Sequence, residues 1–298
     1  MKCIFLYNPN SGKGKIAKKI ELIEKRLHSK YEEVTIYAAR SAQDLEDKAR
    51  ECAASYDAVI FSGGDGTFNN ILQGIGDADV QLGYIPGGTV NDVARSLGIP
   101  RSVKGALKII LKGYSDRLDC MHINGERYAM YIAAAGAFTQ ATYRTPQKQK
   151  RALGALAYAF EGIRNNLKFD VFPLRVDCGG KISDTHAVLI LVMNGRSVAG
   201  FPINRDGSMT DGELEVAVIH QVQRPGFFRR IGAIFSVASL FAFGCRIRKK
   251  DITYLKGDCI RIFTSEDVVW DFDGEEGVRG NVKIDVCPRR VKLFVPKK

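Results

Sequence analysis

Residues 58–67 read Ala-Val-Ile-Phe-Ser-Gly-Gly-Asp-Gly-Thr, an apolar run that leads directly into a glycine-rich turn. The run predicts a buried strand, and the glycines let the main chain adopt positive φ and let a ligand approach it closely. Residues 82–92 repeat this order, from the apolar run 82–85 into Pro-Gly-Gly-Thr-Val-Asn-Asp. Because the Asp65 carboxylate and the Thr67 hydroxyl can interact with charged groups, the two loops together predict a site for nucleotide phosphates.

A third loop lies at residues 8–14, Asn-Pro-Asn-Ser-Gly-Lys-Gly, after the apolar run 3–7. It is not a P-loop, which needs a glycine five residues before the Gly-Lys pair and a Ser or Thr after the lysine. Tyr7 and Gly14 hold those positions here. Lys13 is either a solvated loop lysine or a phosphate contact, and its occurrence together with the other two loops favours the phosphate contact.

Apolar runs and helical periodicity alternate through the first part of the chain. The pattern predicts four strands and five helices, the fourth helix capped by Asn91 or Asp92: strands at 2–8, 34–37, 58–62 and 82–85, and helices at 16–27, 42–54, 67–74, 91–97 and 103–112. This alternation is typical of an α/β lobe with a mostly parallel sheet, in which ligands bind beyond the carboxyl ends of the strands. All three loops would then lie at one edge of the sheet.

From about residue 115 the pattern changes to short strands, with two-residue hairpin signals at Asn124-Gly125 and Gly179-Gly180. Strands are predicted at 118–123, 127–133, 169–176, 185–193, 214–220, 252–255, 259–264, 268–272, 282–286 and 291–295, with a helical insert at 152–167. We therefore expect a mainly antiparallel β-sandwich as the second lobe.

Length and composition fit a two-domain globular protein of 298 residues, 45% of them hydrophobic. The net charge of +11 is consistent with an anionic partner, either a polyphosphate or an anionic membrane, and equally with a solvated basic surface that has no partner. Nucleic acid is disfavoured because no zinc-finger, helix-turn-helix or RNP-like pattern occurs. The seven cysteines form no Cys-x-x-Cys pair, so we expect buried thiols and, for any metal, oxygen ligands suited to Mg²⁺. Met1-Lys2 leads straight into a strand, which predicts no signal peptide and a cytoplasmic location.

The three loops, in this order, resemble the diacylglycerol kinase family and particularly its soluble bacterial lipid kinases. Further segments fit the resemblance, which covers nearly the whole chain: 150–154 with Ala157-Tyr158, 210–216 and 273–275. The resemblance implies a two-lobed catalytic domain distantly shared with NAD kinases and sphingosine kinases. It also implies that the last segment returns to the first lobe, giving a nucleotide-binding domain of 1–115 completed by about 288–298, and a β-sandwich domain of 116–287.

The same resemblance implies ATP and Mg²⁺ as cofactors and assigns roles to individual residues. The nucleotide-binding residues it implies are Asn8, Ser11, Lys13, Gly63, Gly64, Gly66, Thr67 and Thr89. Asp92 and Lys150 would belong to the network of Mg²⁺ and charged groups around the phosphates. Asp211 would bind a structural Mg²⁺ away from the chemistry, although Asp211-Gly212 also reads as a simple turn.

Two carboxylates are candidates for the base that receives the substrate proton. Asp65 matches the base of related sphingosine and NAD kinases, and Asp273 matches the aspartate proposed as base in soluble bacterial diacylglycerol kinases. We favour Asp273, with Asp65 acting on the Mg²⁺ and phosphates. The competing interpretation of Asp273 is structural, because Asp-Gly after the run 268–270 is typical of a tight hairpin turn.

The function implied is transfer of the γ-phosphate of ATP to the hydroxyl of diacylglycerol, giving phosphatidate. The alternatives are another acceptor (a sphingoid base, monoacylglycerol, polyprenol or NAD) and a catalytically silent regulator, which Asn70 favours because many family members have Glu there. The apolar stretch 231–243 is too short to span a membrane. It predicts a helix packed on the second lobe, whose basic flanks at 224–230 and 246–250 could touch an anionic membrane peripherally. A homodimer stays open.

Overall fold

The computed structural model describes most of the chain, namely residues 1–9, 16–137, 171–221, 227–247 and 249–297, with only the backbone of 227–231. Four predictions therefore lie outside the described residues: the helix at 152–167 and the site residues Ser11, Lys13 and Lys150. The chain divides into two compact units, which we call unit 1 (Met1–Cys120 with Cys287–Lys298) and unit 2 (Met121–Val286).

Unit 1 is an α/β sheet whose strands and helices alternate along the chain. Its elements are β1 (Lys2–Tyr7), α1 (Ile20–Leu27), β2 (Glu33–Ala38), α2 (Ala42–Ala53), β3 (Ala58–Gly63), α3 (Asp65–Ile75), β4 (Gln81–Pro86), α4 (Asp92–Leu97) and α5 (Val103–Lys112). The strand order is β2-β1-β3-β4, all parallel, and the end of β15 (Val282–Phe294) pairs in parallel with β4. The sequence prediction of a mostly parallel first lobe is confirmed.

Local sequence signals explain where several of these helices begin and end. Ser41 caps α2 by accepting a hydrogen bond from the Asp44 amide, and Ser102 caps α5 in the same way. Gly98 and Gly113 end α4 and α5 in the left-handed conformation that glycine adopts without steric cost. The strands β1, β3 and β4 are apolar almost throughout, as expected for strands covered on both faces.

Unit 2 is built from antiparallel strands around one apolar core. Its elements are β5 (Ser115–Ile123), which enters from unit 1, β6 (Arg127–Ala129), β7 (Ile132–Gly136), β8 (Phe172–Cys178), β9 (Lys181–Met193), β10 (Leu214–His220), α6 (Phe227–Phe243), β11 (Ile252–Gly257), β12 (Cys259–Thr264), β13 (Val269–Phe272), β14 (Glu275–Arg279) and the first part of β15. The long strand β9 pairs with β8 through its first half and with β7 and β10 through its second half. The sandwich prediction is confirmed.

The predicted strand 127–133 is two strands, 127–129 and 132–136, and three further elements also differ from the sequence prediction. The hairpin at Gly179-Gly180 is tighter than expected, since β9 begins at Lys181 rather than at 185. The two predicted strands 282–286 and 291–295 are one continuous strand, β15. Near the middle of this strand the Arg289 amide donates a hydrogen bond to the Asp119 carboxylate at 2.7 Å. The helix α3 begins at Asp65 instead of 67, because Gly64 is extended and serves as its N-cap.

The apolar stretch after residue 230 forms the helix α6, as predicted. Its buried side chains, among them Ala233, Val237 and Leu240, recur at helical spacing, so one face packs into unit 2. Phe235 and Phe243 are mostly exposed. Within the described part of the chain, we find no helix with the length and apolar character needed to cross a membrane.

Candidate active site

Two glycine loops meet backbone to backbone at the carboxyl edge of the unit 1 sheet. The Gly63 carbonyl accepts hydrogen bonds from the amides of Gly87 and Gly88, at 2.7 and 3.2 Å. A Cβ atom added to Gly88 would lie only 2.4 Å from the Gly64 Cα. Because that neighbour is main chain and cannot rotate away, any side chain at Gly88 would push the loops apart.

The side chains of Asn91 and Tyr84 hold these two loops together through hydrogen bonds. Asn91 has a left-handed backbone (φ 58°), and its side-chain amide accepts from the Gly88 amide and donates to the Gly88 carbonyl, both at 2.9 Å. Of the two predicted caps of α4, Asn91 or Asp92, Asn91 occupies the N-cap position, but its side chain makes no capping hydrogen bond to that helix. The Tyr84 hydroxyl donates to the Gly63 carbonyl at 3.1 Å. Burial raises the pKa of Tyr84 well above its usual value, so the hydroxyl keeps its proton and remains a donor.

Asp65 connects the first glycine loop to the helix that follows the second loop. It is the first residue of α3 and is partly exposed, and its Oδ1 accepts a hydrogen bond from the Val93 amide at 3.1 Å. This bond caps α4 from outside that helix, where a carboxylate also complements the positive helix end. Asp92, the first residue of α4, is buried. Asp65 therefore has a structural role besides any role in chemistry.

The amino end of α3 has the features of a phosphate site. No side chain caps it, so the amides of its first turn are directed beyond the helix, where the helix dipole favours an anion. Thr67 lies over Gly63, since a Cβ there would overlap the Thr67 side chain. The Ser62 hydroxyl is fully buried at the end of β3 and has no hydrogen-bond partner among the described residues. These residues fit the phosphates of a nucleotide.

The sheet register brings the predicted nucleotide-binding residues to the same edge. Tyr7 pairs with Ser62, and Gly63 pairs with Pro86, so Asn8 and both glycine loops follow neighbouring strand ends. The described members of this set are Asn8, Gly63, Gly64, Gly66, Thr67 and Thr89, and the predicted catalytic Asp65 and network residue Asp92 belong to the same strand-end segments.

Sequence reasoning missed one cation at this edge. The Arg101 guanidinium donates to the carbonyls of Thr89 and Gly88, at 2.8 and 3.4 Å, although the helix α4 separates it from that loop along the chain. Its side chain is exposed. No spacing rule links an arginine before α5 to the second loop, so only the fold could show that it contributes positive charge there.

In unit 2, Asp273 occupies the tight turn between β13 and β14. Asp273 and Gly274 both have positive φ, 55° and 90°, as a two-residue hairpin turn requires. The Asp273 carboxylate is 3% exposed and accepts three backbone amide hydrogen bonds: Oδ2 from Met130 at 2.6 Å, and Oδ1 from Tyr131 and Ile132 at 2.9 and 3.1 Å. The hairpin interpretation is confirmed, and the carboxylate is held in one orientation.

Asp211, the predicted ligand of a structural Mg²⁺, forms an ion pair with a lysine of the same unit. The Lys256 ammonium lies 2.9 Å from Asp211, 3.0 Å from Glu213 and 3.3 Å from Glu215. The pKa of Lys256 is raised, with the hydrogen bond to Asp211 as the largest cause, so the ammonium stays charged. In the described ranges no three His, Cys, Asp or Glu side chains are grouped so that they could hold a metal ion. The residues around Asp211 therefore suit the ammonium, and a Mg²⁺ would have to displace it.

A parallel α/β unit with two glycine loops in contact at its carboxyl edge, followed by an antiparallel sandwich unit, defines a class of two-unit proteins. Comparisons with known proteins make this class specific. Residues 2–123 match the model of the diacylglycerol kinase catalytic domain, and residues 132–295 match that of the YegS C-terminal NAD kinase beta sandwich-like domain.

Relatives along the whole chain agree with these matches. Two curated proteins named diacylglycerol kinase, from Staphylococcus aureus strains bovine RF122 / ET3-1 and MRSA252, are each 30% identical over 98% of this chain and 91% of their own. A crystal structure of a putative diacylglycerol kinase from Bacillus anthracis strain Sterne has a TM-score of 0.84 at 25% identity, covering 99% of this chain and 95% of that one.

The chain belongs to the diacylglycerol kinase family, and it is a kinase. The resemblance stated from the sequence is confirmed.

Proposed function

We propose that this protein is an ATP- and Mg²⁺-dependent kinase that transfers the γ-phosphate of ATP to the hydroxyl of diacylglycerol and so forms phosphatidate. The observation that carries the proposal is the contact between the Gly64 and Gly88 backbones at the amino end of α3. Phosphoryl transfer depends mainly on alignment and on stabilising negative charge, which main-chain amides held by packed glycines provide.

The residues at this edge would hold the nucleotide as a set. The backbone amides of Gly64, Gly66 and Thr67 face the phosphates, and Asn8 and Thr89 close the site from the two neighbouring strands. Ser11, Lys13 and Lys150 complete the proposal from the sequence alone. ATP supplies the phosphoryl group, and Mg²⁺ supplies charge neutralisation on its phosphates, with Asp65 and Asp92 as the protein's contribution to that network.

Asp273 is the proposed acceptor of the substrate proton. An ordinary carboxylate, with a pKa of about 4, cannot remove a proton from a ground-state alcohol, but it can orient the hydroxyl and accept the proton late in a loose transition state. The fixed orientation of Asp273 by three backbone amides supports such a positioning role. We propose further that the protein acts in the cytoplasm and contacts the membrane peripherally to reach its acceptor.

The test is transfer of labelled γ-phosphate from ATP, with Mg²⁺, to a panel of lipids in mixed micelles. The panel contains diacylglycerol, monoacylglycerol, sphingosine, ceramide and polyprenol, alongside NAD in solution. Labelled phosphatidate as the main product is the expected outcome. A different labelled product would replace the acceptor while keeping the transfer chemistry, and ATP binding without any product would favour a regulator.

A matched pair of variants connects the product to the proposed site. Asp65→Asn keeps an oxygen for the Val93 amide, so α4 stays capped, but it removes the negative charge next to the phosphates. We expect lost turnover with a nearly unchanged melting temperature. The control Asp44→Asn removes the charge of another first-turn carboxylate, in α2, which accepts from the Arg40 amide as an amide oxygen still can, and should leave turnover unchanged.

A further inference from the structure

The helices α1 and α5 lie side by side in unit 1 and leave a surface groove of about 550 Å³. Three leucines contribute its apolar part: Leu22 from α1, and Leu107 and Leu111 from α5. Leu107 is buried, whereas Leu22 and Leu111 are partly exposed to solvent. The groove is separate from the glycine loops, because none of its lining residues belongs to them.

Four exposed cations surround these leucines. Lys104, Lys108 and Lys112 follow one another at four-residue spacing, which places them on one face of α5, and Arg26 joins them from α1. Within the described residues none of the four forms an ion pair, whereas Lys48 and Arg50 on α2 are paired with neighbouring carboxylates. Like charges at this spacing repel, so an anionic partner would relieve a repulsion that the chain leaves in place.

The combination of cations and leucines indicates the chemistry of the partner. A phospholipid surface presents phosphates next to acyl chains, whereas an acidic peptide or a soluble phosphate would use the cations and leave the leucines in water. We propose that the α1–α5 face, defined by these seven residues, docks on an anionic phospholipid membrane. The inference rests on the proposed function in one respect, since a kinase for diacylglycerol must reach a membrane.

This face is a better electrostatic candidate than the carboxyl end of α6. The Arg246 guanidinium is bound to the Asp206 carboxylate, at 2.8 Å from Nε, and the Lys249 ammonium donates to the Ser239 hydroxyl at 2.6 Å. Both cations are therefore engaged within unit 2, which leaves Lys250 as one exposed, unpaired cation there among the described residues, against four on the α1–α5 face. The exposed Phe235 and Phe243 make α6 the alternative that the experiment has to test.

The first experiment is vesicle co-sedimentation of the full chain, with phosphatidylglycerol–phosphatidylcholine vesicles compared with phosphatidylcholine alone. The test variant reverses three charges, Lys104→Glu, Lys108→Glu and Lys112→Glu. The control reverses three exposed cations elsewhere, Lys181→Glu, Arg205→Glu and Lys297→Glu, and so changes the net charge equally. We expect the test variant to bind anionic vesicles at least about 10-fold more weakly, and the control to bind nearly as the parent does.

Further arms separate the docking proposal from its rivals. Leu111→Ser, which changes no charge, should also weaken vesicle binding, with circular dichroism confirming the fold, and a triple Lys→Gln variant should give an intermediate loss. Equal losses in test and control variants would overturn the proposal as a general charge effect. If only the double variant Phe235→Ser and Phe243→Ser lost vesicle binding, the membrane contact would lie on α6. Tight binding of a polyglutamate peptide that the same lysine substitutions abolish would replace the membrane by an acidic protein.

Activity measurements distinguish a failure of the docking proposal from a failure of the proposed function. The test variant should phosphorylate a short-chain diacylglycerol in solution at the parental rate and lose only transfer to vesicle-embedded substrate. Groove-dependent vesicle binding without transfer to any lipid would retain the docking face and reject the kinase proposal. Transfer to the short-chain lipid without any vesicle binding would retain the kinase proposal and reject the docking face.

Discussion

The glycine loops of unit 1 and the Asp273 hairpin of unit 2 place polar groups in opposite ways. In unit 1 the glycines at 63, 64, 87 and 88 let two loop backbones come into contact, and the amino end of α3 has no side-chain cap. In unit 2 the main chain is turned inward, and three of its amides bind one buried carboxylate.

The difference shows which substitutions each region tolerates. A site made of backbone amides is insensitive to most side-chain changes but fails when a Cβ atom separates the loops. A site made of a buried carboxylate keeps its shape under backbone adjustments but fails when the charge or an acceptor oxygen is lost, since buried amides then lack a partner. The two regions therefore respond to different mutations.

The largest effect is expected for Asp273→Asn. The new NH₂ group would replace an oxygen that accepts from a backbone amide, so two donors would face each other at a cost of about 1–3 kcal/mol. If Asp273 also accepts the substrate proton, turnover should fall by about 100-fold or more while ATP binding is retained. Labelled-phosphate transfer, equilibrium ATP binding and thermal unfolding measure the three quantities.

Asp271→Asn is the matched control in the same hairpin. Asp271 is also buried and accepts from the Gly274 amide at 2.8 Å, which an amide oxygen can still do. We expect a modest loss of stability and almost unchanged turnover. If Asp273→Asn lost only as much turnover as Asp271→Asn, Asp273 would be a turn residue and Asp65 the remaining candidate base.

The next largest effect is expected for Gly88→Ala. Its Cβ would lie 2.4 Å from the Gly64 Cα, so the loops must separate, and overpacking of this kind costs about 1–3 kcal/mol. We expect ATP affinity to fall by roughly 10- to 100-fold, since the same energy is taken from the phosphate site. The control Gly98→Ala has strained φ but no atom within 4 Å of the new Cβ, so it should lose stability without losing ATP affinity.

Much of the unit 1 site followed from sequence because its signals are local. The glycine motifs directly follow apolar strands, and parallel strands place their carboxyl ends together, so the edge that gathers Asn8, Asp65 and Thr89 was predictable. The contact of Gly64 with Gly88 and the role of Asn91 were not, because they depend on the distance between two loops. Arg101 was missed for the same reason.

Unit 2 was less predictable at the level of individual side chains. Its hairpins follow from Asn-Gly, Gly-Gly and Asp-Gly pairs, but the partners of Asp273 come from residues 130–132, far away in sequence. The resemblance implies that Asp211 is a metal ligand, and a single aspartate before a strand gives no information about a lysine on the neighbouring strand. The pairing of β10 with β11 brings Lys256 opposite Glu215 and near Asp211.

A smaller effect is expected for Lys256→Met, which tests how unit 2 holds its carboxylates. Without the ammonium, Asp211, Glu213 and Glu215 face one another unpaired, and we expect about 1 kcal/mol of lost stability, because this network is partly exposed. If the cluster can accept a metal, Mg²⁺ should raise the melting temperature of Lys256→Met and not that of the parent. A parent protein already stabilised by Mg²⁺ at this site, with the response lost in Asp211→Asn, would instead support the structural Mg²⁺.

The smallest effect is expected from His220, whose ring nitrogens contact the hydroxyls of Thr185 and Thr253 at 2.7 and 2.6 Å. Burial lowers the pKa of His220, with Asp251 opposing the shift. The folded protein therefore disfavours the protonated ring, whereas the unfolded chain takes up a proton near pH 6.5. The contribution of the neutral His220 ring to the stability of the folded protein is complete above that pH and is lost as the pH falls below it.

The measurement is the melting temperature between about pH 8 and pH 5 for the parent and for His220→Gln. The advantage of the parent should shrink toward the acid end, because only the parent carries the ring that must be kept neutral. ATP affinity should not follow this trend, since His220 belongs to unit 2 and the glycine loops belong to unit 1. Parallel pH profiles for the two proteins would show that the ring is no less basic in the fold than in the unfolded chain, and would contradict the inference that partial burial in unit 2 disfavours the protonated ring.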